Sequence, residues 1–278
     1  MFSIVSIYNN IDILNRFLIK SLQVQSVEYE LILMDNRDGQ FKSAAEGLNA
    51  GARRATGKYI IFVHQDVEFS QPDWLEQAEK LLDELPDLGV AGVAGISEAG
   101  RNLKERGRNI IRHTEDKRVW ELANPIEKPE VIQTLDCCLL IVPGAVFNQL
   151  QFDEVTCNNW HLYGEDYCLS CTSLGLKAYV IPMSIYHYSG GNFFTSNRVK
   201  ILLRLGPLTG DFYEALKPFI SKHKKSYRYI YTCNGEWNTF QPVLRQRISK
   251  LVASACGLLK RAIIKERAPN KGANEVNR

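Results

Sequence analysis

Apolar, β-branched and aromatic residues crowd the first third of the chain in short runs: FSIVSIY at 2–8, YELILM at 29–34 and YIIFV at 59–63. Runs of this length and composition predict interior strands. Between the first two, Ile13, Leu14, Phe17, Leu18 and Leu22 recur at helical spacing behind an Asn9-Asn10 turn that can cap a helix. Residues from about Ser43 to Ala55 favour helix again, and Gly57 can end it before Tyr59 opens the third strand. The order is βαβαβ, and right-handed crossovers make the three strands parallel.

Further along, Ser70 and Pro72 predict the start of a helix through Leu85, stopped near Pro86, and Gly89 to Ile96 predicts a buried strand. Between Ser97 and Pro129 the pattern dissolves into glycine and charge, which reads as a long surface loop or a small excursion. Val131 to Val142 returns to strand composition, a short helix follows over Ala145 to Leu150, a longer one over Asp166 to Leu174, and a strand over Lys177 to Ile181. After Gly190-Gly191 the tendency is helical, interrupted at Gly206-Pro207, Pro218 and Pro242. The expected layout is an α/β unit over residues 1–190, a mostly parallel central sheet with helices on both faces, and a mostly helical extension over 191–278.

Composition narrows the class. Of 278 residues, 45% are hydrophobic and 23% charged, which suits a globular fold and excludes an intrinsically disordered chain. A net charge of +3 is too small to imply nucleic acid. No apolar stretch reaches the length of a spanning helix, and the chain enters a strand at once, so a cytoplasmic protein without signal peptide is expected. Seven cysteines, an odd number, favour reduced thiols. Cys168 and Cys171 form a CxxC inside a helical stretch, where packed, inert thiols are expected.

Polar residues gather where strands should end. Asp35 closes the second strand, His64-Gln65-Asp66 closes the third, and Glu165-Asp166 precedes a later helix. Taken singly, each acid can be a cap or a turn. Together they lie at loop positions where a parallel sheet opens a ligand crevice. Asp66 can hold a divalent cation, and His64 or His187 can offer imidazole to a softer ion such as manganese. Neither GxGxxG nor a phosphate loop occurs. Arg53, Arg54, Arg106, Arg108 and Arg112 are candidates for a diphosphate clamp or, more simply, solvated surface. His113 and His223 sit among charged neighbours without ligand spacing and read as surface.

The segments FSIVSIYNN, LILMDNRDG, NAGARRATGKYIIFVHQDV, YGEDYCLSCTSLGLKAYV and YHYSGG, in this order, resemble the family 2 glycosyltransferases with the GT-A fold, inverting enzymes that use nucleotide-diphosphate sugars. The resemblance covers residues 2 to about 191. It implies that Ser6 and Tyr8 border the nucleobase, that Asp35 positions the nucleoside, and that Asn49 belongs to the helix leading into the metal-binding strand end. It places His64-Gln65-Asp66 at the family's Asp-x-Asp, with Asp66 as the retained carboxylate and His64 in place of the first one. It implies a Mn or Mg site of Asp66, His187 and His64, with Gln65 beside the donor. Glu165-Asp166 becomes the acid pair at the acceptor side, with Asp166 the catalytic base, and Trp160, His161 and Tyr163 can wall the acceptor. The implied function is sugar transfer to a saccharide acceptor, free or lipid-linked, in surface polysaccharide synthesis. The alternative is a catalytically silent nucleotide- or carbohydrate-binding protein of the same fold.

The C-terminal stretch ISKLVASACGLLKRAIIKER mixes Ile248, Leu251, Val252, Leu258, Leu259, Ile263 and Ile264 with Lys250, Lys260, Arg261, Lys265 and Arg267. A helix of this kind can lie on the cytoplasmic face of the inner membrane, or dock on the α/β unit or a second subunit. The Tyr- and Lys-rich FISKHKKSYRYIYT carries no nucleic-acid recognition module.

Overall fold

The computed structural model describes residues 1–109, 111–112, 124–188 and 208–252. Strand β1 (Phe2–Tyr8) leads through α1 (Ile11–Leu14), a π-helical turn (Asn15–Ile19) and α2 (Lys20–Leu22) to β2 (Tyr29–Asp35). Then come α3 (Ala44–Ala52), β3 (Tyr59–Val63), β4 (Val67–Phe69), α4 (Trp74–Asp83), β5 (Leu88–Gly92) and β6 (Ala94–Ile96). The charged stretch expected as a long loop or a small excursion contains α5 (Leu103–Arg106), β7 (Gly107–Asn109) and β8 (Ile111–Arg112). The rest runs β9 (Glu130–Ile132), β10 (Thr134–Leu135), β11 (Leu139–Pro143), α6 (Gly144–Phe147), α7 (Tyr163–Ser173), β12 (Lys177–Val180) and β13 (Ile185–His187). After the break follow α8 (Gly210–His223), β14 (Tyr229–Thr232) and β15 (Gly235–Asn238), with helix again over residues 243–252.

Seven strands form the central sheet in the order β2-β1-β3-β11-β5-β12-β9. β1 pairs parallel with β2 and β3, and β12 parallel with β5, whereas β11 and β9 run the other way. The sheet is thus mixed but mostly parallel. Alternation within strands feeds two cores. Phe2, Ile4, Tyr59, Ile61 and Val63 pack with Leu14, Leu18, Trp74 and Ala78 on one face. Val5, Ile60 and Phe62 pack with Ala44, Ala45, Leu48 and Tyr167 on the other. A Cβ on Gly57 would stand 2.5 Å from the Ser3 amide nitrogen, so only glycine lets this turn close against β1.

The stretch of strand composition over Val131 to Val142 is three strands. The chain bends at Gln133 and turns at Asp136–Cys138, and only β11 enters the sheet interior, between β3 and β5. The helical extension expected after residue 191 includes a β-hairpin instead. β14 and β15 alternate buried and partly exposed side chains around a Cys233–Asn234 turn, with Gly235 at φ +132°. This described part is tied to the α/β unit: Phe212, Leu216, Phe219 and Trp237 bury against Leu162 and Leu169, and the Tyr231 carbonyl accepts from Thr134 Oγ1.

Candidate active site

Register brings the polar segments to one sheet edge. Tyr8 pairs with Asp35 at the ends of the parallel strands β1 and β2, and β3 ends beside them at Val63. Because β11 is antiparallel and pairs Leu139 with Val63, its incoming turn, Asp136–Cys138, arrives at the same edge. The backbone locks this join: His64 N–H donates to the Cys138 carbonyl at 3.0 Å. β13 runs antiparallel to β4 with His187 opposite Val67, one residue from Asp66.

His64, Asp66 and His187 therefore converge, and their ligating atoms all lie within 4.8 Å of one another. Asp66 Oδ1 and His187 Nε2 are 3.3 Å apart, and the two imidazole centroids 5.6 Å. Burial pushes the Asp66 carboxyl up, but the hydrogen bond and charge of His187 outweigh it and leave the acid below its ordinary range. Burial and the neighbouring His187 charge hold His64 low, hence neutral, the form that ligates. Tyr163 Oη lies 3.1 Å from the Cys137 carbonyl and 3.0 Å from His64 Nε2; when its proton goes to the carbonyl it accepts from Nε2 and leaves Nδ1 as the acceptor nitrogen of His64. Two imidazoles and one carboxylate at this separation fit a Mn-like cation better than an all-oxygen Mg cage.

A cleft of about 410 Å³ opens beside the triad. Tyr8, Asn9 and Asn36 line one part of it, His64, Gln65 and Asp66 the floor, and Cys137, Trp160 and Tyr163 another wall. Its volume is within the range of small-molecule sites. Gln65 joins the first loop to the floor: its Oε1 accepts from the Asn9 and Asn10 amides at 3.1 and 3.0 Å, and its Nε2 donates to Asn9 Oδ1 at 2.7 Å. Trp160 stands half-exposed at the mouth.

Other expected site residues stand off the wall. Ser6 is fully buried in β1, its hydroxyl without a partner among the described residues. Asp35 is held by Arg37, whose Nη2 is 2.5 Å from Oδ2, and that pairing depresses the acid. The Arg37 guanidinium in turn lies 5.8 Å from the Tyr8 ring. Asn49 is a structural pin rather than a donor ligand in this arrangement. Its Nδ2 donates to the Phe152 carbonyl and Glu154, and its Oδ1 accepts from the Phe152 amide. His161 turns away to Asp211 at 3.3 Å and packs edge-on against Phe212.

The acid pair begins α7, behind Leu162, whose φ of +64° swings the chain into the helix. Glu165 is buried, with the Cys137 thiol 3.1 Å from Oε2, and burial pushes it up to about 7. Asp166 does not face the cleft. Only 2% of its surface is exposed, and its two oxygens take Lys222 Nζ and His223 Nε2, each at 2.7 Å. His223, read from sequence as surface, is a buried partner of this acid because α8 folds back over α7.

Among the arginines, Arg53 pairs with Gln151 and Glu154, Arg108 with Glu130, and Arg106 is buried over Tyr231 at 3.7 Å. Arg54 reaches Met34 Sδ at 3.9 Å. None of these four lines the cleft. The Arg112 side chain, His113, Gly190-Gly191, Cys256 and the apolar set Leu258, Leu259, Ile263 and Ile264 lie outside the described residues. Cys168 and Cys171 are buried free thiols, which burial keeps protonated.

Residues 3–191 match the model of the glycosyltransferase-like family. The chain belongs to that family. A curated relative from Fuscovulum blasticum, described as ATP synthase subunits region ORF 6, is 29% identical over 167 residues, 57% of this chain and 63% of the relative's length. Similar solved structures include the mannosyltransferase PcManGT of Pyrobaculum calidifontis with GDP-Man and Mn²⁺, at TM-score 0.54 and 12% identity over 96% of this chain and 81% of that one. GalNAc-T7 with UDP, GalNAc and Mn²⁺ gives 0.53 and 13%, over 78% and 48%. S. aureus TarS 1-349 with UDP-GlcNAc gives 0.51 and 15%, over 80% and 66%. At these identities the likeness establishes the GT-A fold. Among the described residues no helix is long and apolar enough to cross a membrane.

Proposed function

We propose that the chain is an inverting, cation-assisted glycosyltransferase that moves a sugar from a nucleotide diphosphate to a saccharide acceptor, free or lipid-linked, in surface polysaccharide synthesis on the cytoplasmic side. The observation that carries the reading is the His64–Asp66–His187 triad, of which His64 and Asp66 line the cleft, in a family of glycosyltransferase-like proteins and a fold whose solved examples hold nucleotide sugars and Mn²⁺. The surface-polysaccharide role rests on the motif resemblance alone.

In this reading Tyr8, Asn9 and Asn36 border the nucleoside, and Gln65 fixes their loop against the floor. Asp66, His187 and His64 would hold the cation, Mn or Mg, which when bound supplies charge to the diphosphate leaving group. Trp160 and Tyr163 present apolar faces to the acceptor at little cost in side-chain freedom. A single in-line displacement needs one base, contributing about 10²–10⁴-fold. That role belongs to the Glu165–Asp166 pair. For Asp166 to serve, acceptor entry must exchange Lys222 or His223 for the sugar hydroxyl, since both carboxylate oxygens are engaged.

The test is release of nucleotide from a panel of nucleotide sugars by the purified chain, with Mn or Mg and with EDTA. Release that needs the cation and increases with a saccharide acceptor supports the proposal. Donor binding without release across the acceptor set supports a silent binding protein, a reading favoured by the enclosure of Asp166.

A further inference from the structure

The helix over residues 243–252 turns two cations inward and a row of apolar side chains outward. Two of its three cations face the protein: the Arg247 guanidinium lies 4.9 Å from the Tyr213 ring and Lys250 Nζ 4.3 Å from Trp237. Gln246 is buried on the same side, donating to the Asn238 carbonyl and accepting from its amide. Val243 packs against the Phe212–Trp237 cluster and Leu251 is partly buried, but three other apolar residues face outward. Leu244, Ile248 and Val252 are 65%, 50% and 56% exposed, and Phe240, one turn earlier, is 72% exposed. A spacing of four places Leu244, Ile248 and Val252 in one row along the helix, and Phe240 stands in the turn just before it. Helices on globular proteins turn such a row to the core, and isolated exposed apolar residues are ordinary where an aligned row is not.

Cations border the row. Lys224 and Lys225 line a shallow groove together with Thr239 and Phe240, and Arg245 is exposed beside Leu244. No Asp or Glu occurs between residues 215 and 235, nor between 237 and 265. A second copy of the same face would bring these uncompensated cations together. An anionic surface that also accepts side chains into an apolar layer satisfies both halves of the pattern.

We propose that Phe240, Leu244, Ile248 and Val252 insert into an anionic lipid surface while Lys224, Lys225 and Arg245 meet its headgroups. This docking face is independent of sugar transfer. It would hold the protein at a membrane whatever its reaction.

Co-sedimentation of the full chain with vesicles of phosphatidylcholine, alone or mixed with phosphatidylglycerol, tests it. Binding to the mixed vesicles, weakened by salt, is expected, with little binding to phosphatidylcholine alone. The exposed double variant Leu244→Glu/Ile248→Glu should lose binding about tenfold or more, and Lys224→Gln and Lys225→Gln roughly fivefold each. Nucleotide release in the absence of vesicles, measured on the same variants, reports separately on the proposed activity. Three results would overturn the docking face: equal binding to both lipid mixtures, lipid binding unchanged in Leu244→Glu/Ile248→Glu, or a lipid-free dimer that this variant dissociates.

Discussion

The Asp166 carboxylate accepts from His223 Nε2 at 2.7 Å, joining residues 57 apart in the chain and fastening α8 to the start of α7. Lys222 completes the arrangement by bridging Asp166 to Asp153 at 2.7 and 3.0 Å. Removing one member of a buried ion pair strands the others and costs about 3–5 kcal/mol. Asp166→Asn keeps shape and one acceptor, so its expected loss is on the order of 2 kcal/mol, read as a lower denaturant midpoint. Turnover should fall by about 10²-fold or more while donor binding stays near wild type. Turnover that tracks stability alone would restrict Asp166 to holding α8.

Cation choice should follow His64. Imidazole is a softer donor than carboxylate, and replacing it restores an all-oxygen pair at the strand end. His64→Asp is expected to raise the ratio of Mg- to Mn-supported nucleotide release. Asp66→Asn should weaken apparent Mn affinity most, and EDTA should silence all forms. An unchanged metal ratio in His64→Asp would place His64 outside the cation's ligands.

Gln65 makes three hydrogen bonds to the loop after β1, two to amides and one to Asn9 Oδ1. Without them the Tyr8–Asn10 wall loses its anchor to the floor. Gln65→Ala should raise KM for the nucleotide sugar by about tenfold, at ~1 kcal/mol per hydrogen bond partly replaced by water, with a smaller change in kcat. Steady-state kinetics against donor concentration separate the two constants.

Glu165 sets a pH dependence of stability. Its acid is pushed up to about 7 by burial, above the 4.5 of a free glutamate. The folded state therefore holds a proton that the unfolded state releases between these values. The contribution is complete below the lower value and is lost as pH rises through the upper one. Thermal or urea unfolding followed from pH 4 to 8 should show stability declining over that window, by on the order of 3 kcal/mol from this group. Glu165→Gln should flatten the decline; the same slope in the variant would assign it to other groups.

Much of this was legible in the chain. The apolar runs at 2–8, 29–34 and 59–63 became β1, β2 and β3 in parallel; β1 and β3 are interior as expected, whereas β2 is the sheet's edge strand with only Ile32 buried. His64 and Asp66 stand at a strand end as their position after YIIFV implied, and His187 joins them through the β13–β4 register. What sequence hid depends on direction and on long-range contact. Asp136–Cys138 reaches the site only because β11 runs antiparallel, and nothing in LDCCLLIV encodes that sense. His223 looked solvated beside its lysines, yet its partner is supplied by α7. The β14–β15 hairpin did leave a local mark, alternating residues on either side of Cys233-Asn234 with Gly235 directly after the turn.

The position of β11 has a consequence for how the chain is assembled. The strand that separates β3 from β5 in the sheet lies after both in sequence, with residues 93–138 between β5 and β11. Until residues 139–143 have been synthesised, β3 has an open edge facing an open edge of β5, and neither hydrophobic layer is continuous. Loop closure over such distances is slow, and exposed strand edges recruit other chains. A fragment ending before Leu139 would carry His64 and Asp66 but neither His187 nor the strand that fills this gap, so it would leave both edges open to other chains.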